Sequence, residues 1–268
     1  MERITVIMGI YNCASTLVEA LESLEAQTYK DFKVILCNDG SKDNTLEVAK
    51  GWASSHPNYI VIDNPHNLGL NATLNHCLEY ADTEFVARMD GDDRSLPHRF
   101  EQEVAFLDNH PEYAIVSGPM LYFDEQGIFM RGKGKGEISK PDFIAGTPFC
   151  HAPCMVRREA YEKVGGYTVD PKLLRVEDYH LWFKMYAAGY KGYMLEDPIY
   201  EMRDDRDAFA RRTFKSRLNE AHVKHIGYKM IGLPIGTQLY CLVPVIKGLL
   251  PTWLYRKVRQ LKYDNNHD

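Results

Sequence analysis

The first hundred residues repeat one pattern four times: a short run rich in Ile, Val, Leu and Phe, a polar turn, then apolar residues at helical spacing. Ile4 to Met8 is the first run, and Leu17, Leu21 and Leu24 follow on one helical stripe that reaches about Gln27. Phe32 to Cys37 is the second; it ends in the turn cluster Asn38-Asp39-Gly40-Ser41, ahead of a helix from about Thr45 to Ser54. Tyr59 to Asp63 is the third, followed by an Asn/Gly turn and a helix with Leu70, Leu74 and Leu78 on one stripe. Glu84 to Arg88 is the fourth, and it runs directly into Met89-Asp90-Gly91-Asp92-Asp93. This alternation predicts an α/β fold, with a mostly parallel sheet and right-handed crossovers. Ligands of such sheets lie beyond the carboxyl ends of the strands, so the residues to inspect are Tyr11, Asn12, Asp39, Asn67 and Asp90 to Asp93. No GxGxxG follows the first strand and no GxxxxGK[ST] occurs, which argues against a dinucleotide-binding domain and a P-loop NTPase.

With 268 residues the chain can bury a substantial core without disulfides or metal staples. Its net charge of −5 conceals a division: residues 1–202 hold 19 Lys/Arg against 31 Asp/Glu, whereas residues 203–262 hold 13 against 4. The last quarter should therefore face something anionic. The six cysteines include no CxxC pair, so neither a zinc ribbon nor a disulfide framework is indicated, and a reducing cytoplasm is expected. The start carries no apolar stretch long enough for a signal peptide, and no run of about 18 apolar residues suggests a membrane span. After a helix from Leu96 to about Asn109 the pattern loosens. Ala114 to Phe123 reads as strands kinked at Gly118-Pro119, residues 131–141 as a Gly/Lys-rich mobile loop near the site, and Asp178 to Ala188 as a helix. Two strands reach Met202, and helices dominate from about Asp207.

Three carboxylates within four residues, in Asp90-Gly91-Asp92-Asp93, repel one another, and a site that tolerates this commonly holds a hard divalent cation. Mg²⁺ or Mn²⁺ would use one or two of these oxygens and leave its other positions to water and substrate phosphates. The alternative is an acidic turn capping the next helix, for which Ser95 and Pro97 already supply start signals.

The collinear set TVIMGIYN, CNDGSKDNT, NLGLNATLN, ARMDGDDRSLPHRFEQEV, HAPCMVRREAYEKVGGY and VEDYHLWFKMYAAGY resembles the family 2 glycosyltransferases of GT-A fold, nucleotide-sugar enzymes that invert the anomeric centre. The resemblance covers residues 3–202. It implies a Rossmann-like central sheet with flanking helices, a catalytic domain over 1–205 with a nucleotide-sugar half to about 118 and an acceptor half beyond, and a helical, basic C-terminal region over 206–268. Under it Tyr11 and Asn12 open the nucleoside pocket, and Asp39 accepts from a uracil-like N–H, the alternative being a turn residue that organises NDGS. Where many members carry Arg or Lys, this chain has Asn71 and Leu74, leaving Asn67 or Asn71 to supply a neutral hydrogen bond or a helix cap. Asp92 becomes the principal metal ligand of a DXD motif, Asp90 meets the ribose or a metal-bound water, and Asp93 orients the loop. Asp178 becomes the catalytic base; Glu177 caps the helix, holds an Arg or supports the acceptor. His151 is a further metal ligand, a diphosphate contact or a structural histidine, and Arg203 meets the diphosphate or pairs with Asp204 or Asp205.

Residues 231–263 combine an apolar stretch, broken by Pro244 and Pro251, with Trp253, Leu254 and Tyr255 ahead of Arg256, Lys257, Arg259 and Lys262. That pattern suits a headgroup-level membrane contact; a helix packed on the catalytic domain, or a homodimer contact, is the alternative. Nucleic acid is not expected, because apolar and aromatic residues accompany the charges. The expected activity is transfer of a hexosyl or N-acetylhexosaminyl unit from a nucleoside diphosphate, UDP foremost, to a glycan or lipid-linked acceptor in polysaccharide biosynthesis, at the cytoplasmic face of the membrane. A sugar-phosphate nucleotidyltransferase would want a basic Gly-rich loop after the first strand, which MGIYNCAST does not offer. A non-catalytic nucleotide-sugar-binding protein would be expected to lose the acidic turn or the Glu177-Asp178 pair, and both are present.

Overall fold

The computed structural model describes residues 2–204 and 213–249. Its first half follows the predicted alternation closely: β1 (Ile4–Ile10), α1 (Leu17–Glu25), β2 (Phe32–Asn38), α2 (Thr45–Ala53), β3 (Tyr59–Asp63), α3 (Leu70–Leu78) and β4 (Phe85–Arg88). After the acidic turn come β5 (Arg94–Ser95) and α4 (Arg99–Asn109), then β6 (Ile115–Ser117), β7 (Met120–Asp124), β8 (Gly127–Arg131) and β9 (Gly136–Ile138). A 3-10 turn over Lys140–Ile144 leads to β10 (Met155–Arg157), α5 (Arg158–Val164), α6 (Glu177–Ala187), β11 (Gly192–Met194) and β12 (Tyr200–Arg203). The C-terminal region contains α7 (Phe214–Met230), a 3-10 segment over Ile235–Cys241 and α8 (Leu242–Leu249).

Eight strands form the main sheet in the order β3-β2-β1-β4-β10-β6-β11-β9. β1 runs parallel to both β2 and β4, with Ile4 opposite Phe32 and Phe85. β10 enters between β4 and β6 antiparallel to both, so the sheet extends across residue 118 without a break. A smaller sheet, β5-β12-β7-β8, holds β12 against the two residues of β5 that follow the acidic turn. The kink at Gly118-Pro119 thus separates strands of two different sheets.

The two-residue period of β1 sorts its side chains between two cores. Val6 and Met8 pack with Leu17, Leu21 and Leu24 of α1 and with Phe100, Val104 and Leu107 of α4. Ile7 faces the other way, into a cluster with Leu74 and Cys77 of α3, Trp182 and Phe183 of α6, and Val223 and Tyr228 of α7. Helix α7 is therefore built into the core. A Cβ at Gly227 would lie 2.2 Å from the Phe183 ring, so glycine permits the close approach of α7 to α6. Lys224 Nζ and Tyr228 Oη both donate to the Ile144 carbonyl, at 3.1 and 3.2 Å, fixing α7 to the loop before β10.

Two local expectations are corrected. Helix α4 begins at Arg99, because Ser95 is drawn into β5 opposite Tyr200 and the Leu96 N–H donates to Ile199 O at 3.0 Å. Residues 131–141 do not form a loop throughout: Gly136–Ile138 pairs with β11 at the sheet edge, and Lys135 bonds Asp142. Gly134 lies against the backbone of Leu195 and Glu196, where a Cβ would come within 2.2 Å, so this stretch is tied down by the sheet edge. Residues 250–263, which carry Trp253 and the basic cluster after it, lie outside the described residues, as does the domain boundary expected at 205.

Candidate active site

The parallel strands β1, β2 and β4 end together, and their following turns are tied to one another. Asn12 adopts φ of +49°, a left-handed conformation that Asn tolerates better than most residues. Its N–H donates to Ser41 Oγ at 3.1 Å, and its Oδ1 accepts from the Lys42 N–H at 2.8 Å, joining the turns after β1 and β2. Tyr11 projects beside it, 43% exposed. Asp39 is buried: Oδ1 accepts from the Leu68 N–H at 2.8 Å and Asn64 Nδ2 at 3.0 Å, and Oδ2 from the Gly69 N–H at 3.0 Å. Its carboxylate thus shapes the turn after β3, a neighbour invisible to a reading of NDGS alone. Asn71 is buried with Nδ2 donating to Thr168 O at 2.8 Å, whereas Asn67 is exposed.

At the end of β4 one ligand oxygen from each of Asp90, Asp92 and Asp93 lies within 4.8 Å of the others. The cluster is braced by two arginines. Arg88, almost wholly buried in β4, forks onto both Asp90 oxygens. Arg203, at the end of β12, donates from Nε to Asp92 O at 3.0 Å and from its backbone N–H to Asp93 Oδ1 at 2.8 Å. Its other end bonds Glu19, and its guanidinium lies 4.6 Å from the Phe123 ring centroid. Arg203 thus pairs with Glu19, while Asp205 lies outside the described residues. Burial, then Asp90, pushes the Asp92 carboxyl above its ordinary pKa; Arg88 and Arg203 pull it back. Asp93 is raised further by the same order of causes, burial and then Asp90 and Asp92, and its Oδ2 is buried without a hydrogen-bond partner among the described residues. Gly91 fits closely over Cys13, where a Cβ would meet Sγ at 2.8 Å, and Thr16 Oγ1 donates to Gly91 O at 2.9 Å.

The second acidic pair opens α6. Asp178 Oδ2 accepts from Thr147 Oγ1 at 3.3 Å and faces a pocket of about 460 Å³. Desolvation raises its pKa, opposed by the Tyr179 N–H, by Arg88 and by Thr147. Glu177 is raised as well, again chiefly by burial, and its Oε2 is buried without a hydrogen-bond partner among the described residues. Arg88 acts electrostatically on Asp90, Asp92, Asp93, Glu177 and Asp178, so one buried cation stands within range of both acidic groups. His151 is not brought into the Asp90–Asp93 cluster: its Nε2 shares a 2.8 Å hydrogen bond with Tyr167 Oη, and its ring lies against Trp182. Burial, then Arg88, holds its pKa well below the ordinary value, leaving a neutral imidazole.

Four residues at this site were not singled out from sequence: Arg88, Thr147, Tyr167 and Tyr200, whose Oη accepts from the Asp90 N–H at 3.2 Å. Only Arg88 carried a signal, since a cation inside an apolar strand needs a buried anion.

The mixed sheet, with an acidic turn at the ends of its parallel strands, is the GT-A architecture. Residues 5–165 match the model of glycosyl transferase family 2, and the chain belongs to that family. It is 39% identical to EpsE of Bacillus subtilis (strain 168), named as a glycosyltransferase, over 99% of this chain and 96% of that protein. It is 30% identical to the amylovoran biosynthesis glycosyltransferase AmsE of Erwinia amylovora, over 98% of each. At 25% identity it also resembles WfaP of Escherichia coli, named a UDP-Glc:alpha-D-GlcNAc-diphosphoundecaprenol beta-1,3-glucosyltransferase, over 93% of this chain and 95% of that one. Among solved structures, S. aureus TarS 1-349 with UDP-GlcNAc superposes at a TM-score of 0.70, 19% identity, covering 93% of this chain and 72% of that one. A mannosyltransferase from Pyrobaculum calidifontis with GDP-Man and Mn²⁺ gives 0.64 at 18% identity, over 97% and 80%. The protein is a family 2 glycosyltransferase.

Proposed function

We propose that the chain is an inverting, metal-dependent enzyme that moves a sugar from a uridine diphosphate donor to a hydroxyl of a lipid-linked glycan acceptor. The observation that carries this reading is the gathering of two unlike acidic groups at one end of the sheet: three clustered carboxylates after β4, and Asp178 open to a pocket. The cluster fits Mn²⁺ or Mg²⁺ by its oxygen donors, by its close spacing and by the unpartnered Oδ2 of Asp93. Asp92, the most exposed of the three, and Asp90 would hold the ion; a bound cation would supply charge stabilisation to the departing diphosphate. Tyr11, Asn12 and the turn shaped by Asp39 form the nucleoside end, with Asn67 at its exposed rim and Asn71 bracing it through Thr168. Arg203 fixes the acidic turn through Asp92 O and Asp93.

Asp178 takes the proton of the acceptor hydroxyl. That oxygen bonds to the anomeric carbon as the bond to the nucleoside diphosphate breaks, and one displacement inverts the centre. The raised pKa of Asp178 suits a base, because a less stabilised carboxylate holds the transferred proton more firmly. Glu177 supports it from the same helix start, and the helix dipole favours both anions. UDP as the donor nucleotide is supported by the names of WfaP and of the TarS complex, and a diphosphate-lipid acceptor by the name of WfaP. Among the described residues no helix is long and apolar enough to cross a membrane. Ile235, Leu239, Leu242, Ile246 and Leu249 are exposed, which favours a peripheral contact at the membrane's cytoplasmic face. Calorimetry with UDP and Mn²⁺ tests the donor half: UDP should bind only with the metal, and metal-independent or absent binding overturns it. The anomeric configuration of the product, read by NMR, tests inversion.

A further inference from the structure

Glu19 lies on α1, outside the acidic turn, yet it is the centre of a charge network that ends there. Its Oε1 accepts from Arg94 Nε at 2.8 Å and its Oε2 from the Arg203 guanidinium, so one carboxylate bridges two cations. Both guanidinium groups lie against the Phe123 ring, 4.2 and 4.6 Å from its centroid, which restricts where they can turn. Arg94 has a second anion, Glu201 Oε2 at 3.2 Å. Arg203 is placed differently: its Nε donates to Asp92 O and its backbone N–H to Asp93 Oδ1, so the guanidinium that Glu19 holds stands beside the acidic turn. It already acts electrostatically on the Asp92 carboxyl, and Asp93 Oδ2 has no hydrogen-bond partner among the described residues. Asp90 is forked by Arg88, so the oxygens of Asp92 and Asp93 are the less engaged ones. A guanidinium released from Glu19 has these carboxylates as its alternative, and a fork on them would occupy the lone pairs that a cation needs.

We propose that Glu19 is a positioning residue for the metal turn: it holds the positive end of Arg203 away from the Asp92 and Asp93 carboxylates and leaves their oxygens open to a divalent cation. Arg203 then braces the turn through the Asp92 carbonyl and its own backbone N–H without competing for the ion's ligands. The inference rests on the reading of the turn as a metal site. Glu19 touches neither ion nor substrate; it acts through Arg203.

Titration of the full chain with Mn²⁺ in the presence of UDP, with free Mn²⁺ read from its electron paramagnetic resonance signal, tests the proposal without any turnover. Glu19→Gln should raise the apparent Kd for Mn²⁺ about tenfold, the scale of one charge-assisted hydrogen bond redirected onto the carboxylates. The same substitution made in an Arg203→Gln background should add little, because the competing guanidinium is gone. A tenfold loss that persists in that background would assign the effect to the field of Glu19 itself and overturn the proposal. A lower melting temperature at unchanged Mn²⁺ affinity would make Glu19 a structural ion pair only, and overturn it as well. A parent protein that binds no Mn²⁺ with UDP would overturn the metal reading and this inference together, whereas a parent that binds it while Glu19→Gln binds equally well would overturn this inference alone.

Discussion

The acidic turn after β4 and the acid pair at the start of α6 hold similar groups under opposite conditions. Asp90 lies in the fork of Arg88, and Arg203 holds Asp92 O and Asp93, so repulsion among three carboxylates is offset by two guanidinium groups and the turn is locked in place. Asp178 has no ion pair among the described contacts; its neighbours are a threonine hydroxyl at 3.3 Å and the more distant field of Arg88. Crowded carboxylates whose pKa values are pushed up by burial and by one another suit the binding of a cation, because it balances their charge from outside. An anion left to desolvation suits taking up a proton. Under the proposed mechanism the same residue type is divided between two tasks by what surrounds it.

The largest effect expected from breaking this comparison is at Asp178. Asp178→Asn should lower kcat by roughly 10²- to 10⁴-fold, the range for losing a general base, while UDP affinity in Mn²⁺ stays near that of the parent. Retained turnover would show that the α6 pair does not do the proton transfer. Next is Asp92→Asn, for which metal-dependent UDP binding should fall by about 10²-fold, a few kcal/mol, measured by calorimetry across a Mn²⁺ series. An unaltered Mn²⁺ requirement would move the ion away from this turn.

Arg88 joins the two regions and should affect both. Arg88→Met removes the fork on Asp90 and should cost about 1.5–3 kcal/mol, seen as weaker UDP binding in Mn²⁺ and a lower melting temperature. The same change should move the acid limb of kcat/KM to higher pH, because Arg88 favours the ionised forms of Asp178 and Glu177 and its loss raises their pKa. In the parent protein, activity should fall as pH drops through a midpoint above the ordinary Asp value of about 3.9, since burial raises the Asp178 pKa and only the ionised form accepts a proton. An acid limb at or below that value would place the base elsewhere. The smallest effect is at Gly91: a Cβ 2.8 Å from Cys13 Sγ over-packs the turn, and Gly91→Ala should destabilise by about 1–3 kcal/mol in urea unfolding. Gly91→Ala combined with Cys13→Ala should recover most of that loss.

The β1 to β4 alternation, the acidic turn and the start of α6 could be read from the chain because each is local: a period of two or 3.6, and a turn of four residues, repeat within a dozen positions. Helix α4 was misplaced by three residues because Ser95, a good cap in isolation, pairs with Tyr200 a hundred positions away. Residues 136–138 had no strand signal of their own, since two of the three are Gly and Glu and their order comes from β11. Asp39 follows β2 as its position in the chain implies, yet the groups that it and Asn71 bond, Leu68, Gly69 and Thr168, belong to other turns.

By itself the sequence determined the class of fold, the family and the identity of the acidic groups, because apolar periodicity and short motifs are properties of neighbouring residues. Only the tertiary structure decided how those groups differ. Arg88 reaches Asp90 locally, but its field on Asp178, the 110-residue span from Asp93 to Arg203 and the His151–Tyr167 hydrogen bond all depend on how distant elements pack together. Electrostatic environment is set by distance and burial in three dimensions, and neither is encoded within any single stretch of the chain.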